Sequence, residues 1–143
     1  MLFVDQLREN MISIEEKIEI EHNRMIQNSV SYFRNQCKFA ASCGESEICT
    51  YANVDEGSGY GVLTFYEKEQ IDHNSIYSSL YTINSGKKIS SEIYEILLND
   101  GYSYLSVQLV PYYLNESSRN LFNKEIIKKK QDGFRIQIRA TWS

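Results

Sequence analysis

The glycine-rich stretch from Asp55 to Phe65 is the part of this sequence that comes nearest to a ligand-binding loop. Glycines occupy positions 57, 59 and 61. A dinucleotide-binding loop spaces its glycines G-x-G-x-x-G, follows a strand and opens a helix, and a Walker motif continues into a lysine. Here the spacing is G-x-G-x-G, no such lysine follows, and the next residues favour a strand. The pattern therefore predicts a hairpin tip at 55–60 that is available to a partner.

Three cysteines are the next candidates for chemistry. Cys37, Cys43 and Cys49 are evenly spaced along the chain, whereas zinc sites usually pair ligands about two to four residues apart. An odd number of cysteines in a chain of this type indicates free thiols in a reducing compartment. We therefore predict no metal site.

Two histidines complete the set of candidate catalytic groups. His22 follows Glu19 on a helix face, but di-iron sites need two such pairs, and His22 also falls on the apolar stripe. His73 follows Asp72 at a turn, and adjacent residues do not form a dyad. A nucleophilic Cys49 with either histidine is a third-ranked hypothesis. No catalytic residue and no cofactor are assigned.

Tyrosine is unusually frequent, with eleven in the chain, and many lie among Ser, Asn and Gly between residues 75 and 113. Recognition surfaces use this mixture because tyrosine offers a large contact area at low entropic cost. Tyrosine is also a good strand former, so a structural role is an equal alternative. The predicted partner-binding residues are Tyr60, Tyr77, Tyr81, Tyr102, Tyr104, Tyr112 and Tyr113.

Charge is distributed unevenly along the chain. Residues 1–21 carry six acidic and two basic side chains, a net −4, and residues 119–139 carry seven basic and two acidic ones, a net +5. The basic end is a candidate anion or nucleic-acid surface, although the whole chain is acidic at −4. A solvated helix end is the alternative interpretation, and a contact between the acidic end of one subunit and the basic end of another is a third. The residues of this candidate surface are Lys128, Lys129, Lys130, Arg135 and Arg139.

The first forty residues have helical periodicity. A straight helix of that length spans about 60 Å, more than the roughly 35–40 Å width of a compact domain of this size, so it must break or overhang. Ser13 and Glu16 have the spacing of a capping box, which predicts an arm over 1–12 and a long helix over 13–43 that ends before Gly44. Apolar residues at alternating spacings of three and four predict a dimer seam along this helix: Val4, Leu7, Met11, Ile14 and Ile18.

The remaining sequence predicts alternating strands and helices in a body over 47–143. A helix follows Ser90 or Ser91 up to Gly101, after Asn84-Ser85-Gly86, which reads as a helix breaker. Residues 71–86 fit either helix or strand. A second helix is predicted from 116 to 131, capped by Asn115 and ended by Gly133. The predicted strands cover 47–54, 61–68, 103–110, which Pro111 closes or marks as an edge, and 134–142.

These elements predict one α+β domain with a long N-terminal helical segment and a mainly antiparallel sheet of four or five strands with helices on one face. No apolar run approaches the ~20 residues of a membrane span, and the first residues lack the basic segment of a signal peptide. We expect a cytoplasmic protein.

The leading functional prediction is a non-enzymatic protein-interaction module. It would bind a protein partner through the tyrosine-rich edge and the 55–60 tip, and form a homodimer through the N-terminal helices. Inhibitors, immunity factors, secretion chaperones and phage accessory proteins often have this character. The alternative is a nucleic-acid or nucleotide-binding regulator that uses the basic C-terminal residues.

Overall fold

The first element is one uninterrupted helix. The computed structural model describes residues 2–55, 61–67, 77–119 and 125–143, and α1 spans Phe3–Ser42, 40 residues. The predicted break at Ser13 and Glu16 is wrong. Residues 1–43 contain neither glycine nor proline, so nothing in the segment interrupts the backbone hydrogen bonds of a helix.

α1 ends shortly before Gly44, as predicted. Gly44 has a φ of +83°, which glycine adopts without a steric penalty. Its N–H donates to the Ala41 carbonyl and the N–H of Glu45 donates to the Ala40 carbonyl, each at 3.0 Å. These two bonds form a Schellman motif, which satisfies carbonyls left free at the helix end.

Four strands form one antiparallel sheet around the last of them: β1 (Glu47–Tyr51), β2 (Thr64–Phe65), β3 (Tyr104–Arg119) and β4 (Glu125–Thr141). β3 pairs with β4 on one side. On the other side of β4, β2 and β1 pair with successive parts of the same strand. The predicted α+β fold with a mainly antiparallel sheet is confirmed.

The two strands on either side of the glycine-rich stretch lie in line along β4. In the described residues, the pairing between them is a bridge between Asn53 and Val62. On either side of this bridge, the Val54 N–H donates to the Gly61 carbonyl at 2.9 Å and the Leu63 N–H donates to the Ala52 carbonyl at 3.1 Å. Of the predicted tip, residues 56–60 lie outside the described part of the chain. The chain therefore leaves the sheet at Val54 and returns to it at Gly61, at adjacent points.

Two helices occupy much of the segment before β3: α2 (Tyr77–Leu80) and α3 (Ile83–Leu98). The ambiguous 71–86 segment is thus largely helical where the structure describes it. The predicted breaker Asn84-Ser85-Gly86 is wrong, since it lies in the first turn of α3. Thr82, not Ser90 or Ser91, caps this helix: its side-chain oxygen accepts from the Ser85 N–H at 3.2 Å.

Where the structure describes the segment of the helix predicted over 116–131, namely 116–119 and 125–131, it is strand. This is the largest difference from the sequence-based expectation. β3 continues through Pro111 to Arg119, and β4 begins at Glu125, so that Glu116 lies opposite Lys128. Cross-strand pairing continues from the strongly predicted strand at 134–142 and overrides the helical propensity of this segment. Pro111 is tolerated because β3 is an edge strand in the described sheet.

Gly133 marks a bulge in β4 and does not end a helix. Its φ is +144°, and the β3–β4 register shifts between Tyr112 and Tyr113, directly beside it. A Cβ at Gly133 would lie 2.8 Å from the Phe65 carbonyl oxygen, so a side chain does not fit there. Beyond this bulge, β1 and β2 no longer pair with β4, and β3 and β4 continue as a two-stranded ribbon.

The core lies between the helices and one face of the sheet. Alternate residues of β4 face the helices and are buried, as the sequence predicted, while their neighbours face the other way. The helices contribute a stripe from each of α1 and α3. The central members are Met25, Ile26, Val30, Phe33, Ile89, Ile93, Leu97, Ile136, Ile138 and Ala140.

The N-terminal half of α1 overhangs this body. Val4, Leu7, Met11 and Ile14 are between 42% and 62% exposed, and only Ile18 of the predicted seam packs against the core cluster. This overhang is longer than the arm predicted over 1–12, and from here on "the arm" means residues 3–21. Within the described ranges, no helix combines the length and apolarity needed to cross a bilayer.

Candidate interaction face

The sheet presents a second face that no described helix covers. Side chains alternate along a strand, so the β4 residues between the buried ones point away from the helices. We call this surface the outer face. It combines aromatic, cationic and thiol side chains from three strands: Cys49, Tyr51, Tyr104, Tyr112, Arg135 and Arg139.

Arg135 lies at the centre of the outer face between two tyrosines. Its guanidinium carbon is 3.4 Å from the centre of the Tyr112 ring and 5.6 Å from that of the Tyr51 ring. Its Nε also donates to Thr64 Oγ1 at 3.4 Å. Each cation–π contact of this type contributes about 0.5–1 kcal/mol at an exposed site. Together they hold a row of side chains across three strands in one arrangement.

This arrangement affects what the outer face can bind. Arg135 covers the ring of Tyr112, so that surface is not open to a stacking base. The free aromatic surface instead belongs to Tyr104 and Tyr113, which are 56% and 53% exposed. Both lie on β3, the edge strand, Tyr104 on the outer face and Tyr113 on the other side of the strand from its neighbour Tyr112. Each can contact a partner together with the unpaired side of the strand.

A shallow depression of about 530 Å³ lies at the β1 end of the outer face. Arg139 points across it, and its Nε donates to Cys49 Sγ at 3.4 Å. The depression therefore joins a cation, a thiol and an exposed aromatic ring in one concave surface. Its lining residues are Glu45, Glu47, Ile48, Cys49, Tyr104, Arg139, Ala140 and Thr141.

The predicted tyrosines divide into three groups. Tyr104, Tyr112 and Tyr113 lie at two well-separated places along β3, whereas Tyr81 and Tyr102 pack against the core. Tyr77 is in α2, and its side chain is outside the described set, as is the whole of Tyr60. Tyr51 was missed in the sequence, although the alternation of the 47–54 strand could have placed it opposite the buried positions.

Tyr102 belongs to a structural cluster that joins α1 to the start of β3. Arg34 donates twice to the Asp100 carboxylate, at 2.9 and 2.8 Å, and the Tyr102 hydroxyl donates to the same carboxylate at 3.0 Å. The hydrogen bonds from Arg34 lower the pKa of Asp100, and burial raises the pKa of Tyr102. This role explains why Tyr102 is not available to a partner.

The predicted basic residues all lie on β4, but they do not form one patch. Lys128, Lys129 and Lys130 are in the ribbon and not in a helix, while Arg135 and Arg139 are on the outer face. Ten residues of strand separate Lys129 from Arg139, which corresponds to about 33 Å. The cations thus follow the length of one strand.

The histidines and cysteines do not converge on a site in the described structure. His22 is buried on the helical side of the sheet, where burial lowers its pKa, and Cys49 is exposed on the outer face. The sheet separates them, so the structure does not form the Cys49–His22 pair. His73 lies outside the described residues, and no group of three metal-ligating side chains occurs within the described ones.

Comparisons with protein-family models, curated proteins and solved structures found no match to this chain.

Proposed function

We propose that the chain is a non-enzymatic interaction module that binds a protein partner along β3 and the adjacent outer face. The observation that carries the proposal is an uncovered sheet face whose edge strand bears two largely exposed tyrosines, Tyr104 and Tyr113. Aromatic residues and arginine are enriched at protein interfaces and dominate their binding energy.

The rigidity of the outer face supports the same function. Arg135 is held by Tyr51 and Tyr112 before any partner binds, so less side-chain entropy is lost on binding. The free side of β3 offers backbone groups to an extended segment of the partner. The tyrosines beside it would give specificity.

A cytoplasmic location is part of this proposal. The three cysteines are free thiols, and two of them are exposed. Reducing compartments keep such thiols from pairing.

Alanine variants test the proposal against a matched control. Tyr104→Ala and Tyr113→Ala remove exposed rings on β3, whereas Tyr94→Ala removes a 37% exposed ring on α3. The affinity-tagged chain would be used to isolate its partner from cells that produce it, and binding of the purified partner would then be measured. We expect a tenfold or larger loss of affinity for the two β3 variants, since interface hot spots contribute about 2 kcal/mol or more. Equal affinity for all three variants and the wild type would refute the proposal.

A second candidate function is binding of single-stranded nucleic acid along β4. The observation in its favour is the line of cations from the ribbon to Arg139, next to the exposed ring of Tyr104. It predicts binding to an oligonucleotide that weakens steeply with salt and is reduced by Arg139→Gln. Absence of binding at 50 mM salt, or binding that salt does not change, would remove this candidate.

A further inference from the structure

The arm carries an apolar surface that the described body leaves uncovered. Val4, Leu7, Met11 and Ile14 lie on one face of α1 and remain 42–62% exposed. Their alternating spacing is that of a coiled-coil seam. Ile20 is also exposed, at 64%, but it lies on the opposite side of the helix.

This seam continues the stripe by which α1 packs on its own body. Ile18, His22 and Met25 follow the seam at spacings of three and four, and they contact or enter the core. The exposed seam therefore faces the same side of the helix as the body does. Any helix that covers the seam must end where the body begins, near residue 22.

We infer that the seam binds the arm of a second copy of this chain in antiparallel orientation. In a parallel pair, the two helices would face each other through the seam, and past residue 22 each helix would run into the body of the other. In an antiparallel pair, each arm ends at the partner's body, and the two bodies lie at opposite ends of the paired arms. The arms then overlap over residues 4–21, about 27 Å of helix.

Charge selects one register for this pair. Leu7 faces Ile18 of the partner subunit, and Met11 faces Ile14 of the partner subunit. Arg8 then lies beside Glu15 of the partner subunit, and by symmetry this attraction occurs twice. A shift by one heptad toward the N-terminus would instead place Arg8 beside Arg8 of the partner subunit, which opposes that register.

Most of the remaining charges lie away from the seam: Asp5, Glu9, Glu16 and Glu19. Glu21, at the end of the overlap opposite Val4 of the partner subunit, is paired with Arg24 of its own helix at 3.0 Å. Among the described residues, the ion pair of Arg8 is an exposed 3.6 Å contact to Asp5, which contributes little. The arm is already helical as part of α1, so pairing does not have to order it first.

Light scattering over a concentration series, on the full chain, tests whether the seam makes a dimer. We expect the wild type to become dimeric as concentration rises, and Leu7→Glu to raise the dissociation constant at least tenfold. Ile20→Glu adds the same charge off the seam and should behave as the wild type. A wild type that stays monomeric throughout, or a dimer that Leu7→Glu leaves unchanged, would overturn the inference.

Disulfide trapping tests the direction. The background carries Cys43→Ser and Cys49→Ser. In it, three samples would be oxidised: the Leu7→Cys chain alone, the Ile18→Cys chain alone, and a mixture of the two chains. The antiparallel register brings these two positions together, so only the mixture should form a covalent dimer. A covalent dimer of Leu7→Cys alone would show parallel arms and refute the orientation. This inference does not depend on the proposed function, because the dimerisation variants Leu7→Glu and Ile20→Glu lie in the arm, away from β3 and the outer face.

Discussion

Gly86 provides a sharp test of the packing between α3 and the sheet. It lies in the first turn of α3, where an alanine Cβ would sit 2.9 Å from Phe65 Cγ, 3.0 Å from Phe65 Cδ2 and 3.2 Å from Leu109 Cδ1. Phe65 is fully buried, and its ring packs against Tyr81 with centroids 6.4 Å apart. The ring therefore has little room to move.

Two effects of Gly86→Ala oppose each other. Alanine favours a helix over glycine by about 1 kcal/mol, and overpacking in a dense core costs about 1–3 kcal/mol. Because Phe65 is confined, we expect the packing cost to win, with a net loss of about 1 kcal/mol. For a chain of this size that corresponds to a fall in Tm of roughly 3–5 °C.

The assay is thermal and urea unfolding of the wild type, Gly86→Ala and Asn84→Ala. Asn84 is exposed in the same helical turn, so Asn84→Ala reports the propensity gain without the clash and should be neutral or stabilising. If Gly86→Ala raised the stability as much as Asn84→Ala does, the close approach of Gly86 to Phe65 would be wrong.

Three further predictions concern the body of the protein. Arg34→Met and Asp100→Asn should each destabilise the fold by about 1 kcal/mol, and a double-mutant cycle by urea unfolding should give a coupling free energy of about 0.5–1 kcal/mol, since the ion pair is bidentate but partly exposed. Additive effects of the two single variants would contradict this ion pair. Cys37 should react with iodoacetamide much more slowly than the exposed thiols of Cys43 and Cys49, because burial raises the pKa of Cys37 and limits access to it. Equal labelling of all three cysteines, measured by peptide mass spectrometry, would contradict the partly buried position of Cys37. Burial holds the pKa of His22 below 6.5, so its contribution to stability is complete above pH 6.5 and decreases as the pH falls from there toward the folded-state pKa. The wild type should therefore lose more stability than His22→Gln between pH 7 and pH 5 in urea titrations, and parallel pH profiles would refute the assignment.

The sequence was most informative where one face of an element is buried. The alternation over residues 134–142 identified the C-terminal part of β4 and its buried positions, and Gly44 identified the end of α1. In both cases a local pattern and the tertiary environment favour the same structure.

The failures have a common cause in tertiary contacts. The segment 116–131 contains good helix formers, yet pairing between strands makes 116–119 part of β3 and 125–131 part of β4. Thr82 caps α3 and makes the polar turn at Asn84-Ser85-Gly86 part of a helix. Helix and strand patterns along the chain do not show which strand lies beside a segment or which side chain caps a helix.

The candidate site was predictable only in part for the same reason. The sequence singled out Tyr104, Tyr112, Arg135 and Arg139, and the register of the sheet brings them to one face. It did not place Tyr51 beside Arg135, because that contact depends on which strand lies next to β4.

Hydrogen–deuterium exchange of the chain with its purified protein partner tests the central claim most directly. If the partner binds the edge strand, backbone amides of β3 between Tyr104 and Tyr113 should exchange more slowly in the complex, since that edge is unpaired in the described sheet. The exposed side of α3 around Tyr94 should be unchanged. Protection of α3 or the arm with no change along β3 would contradict the account.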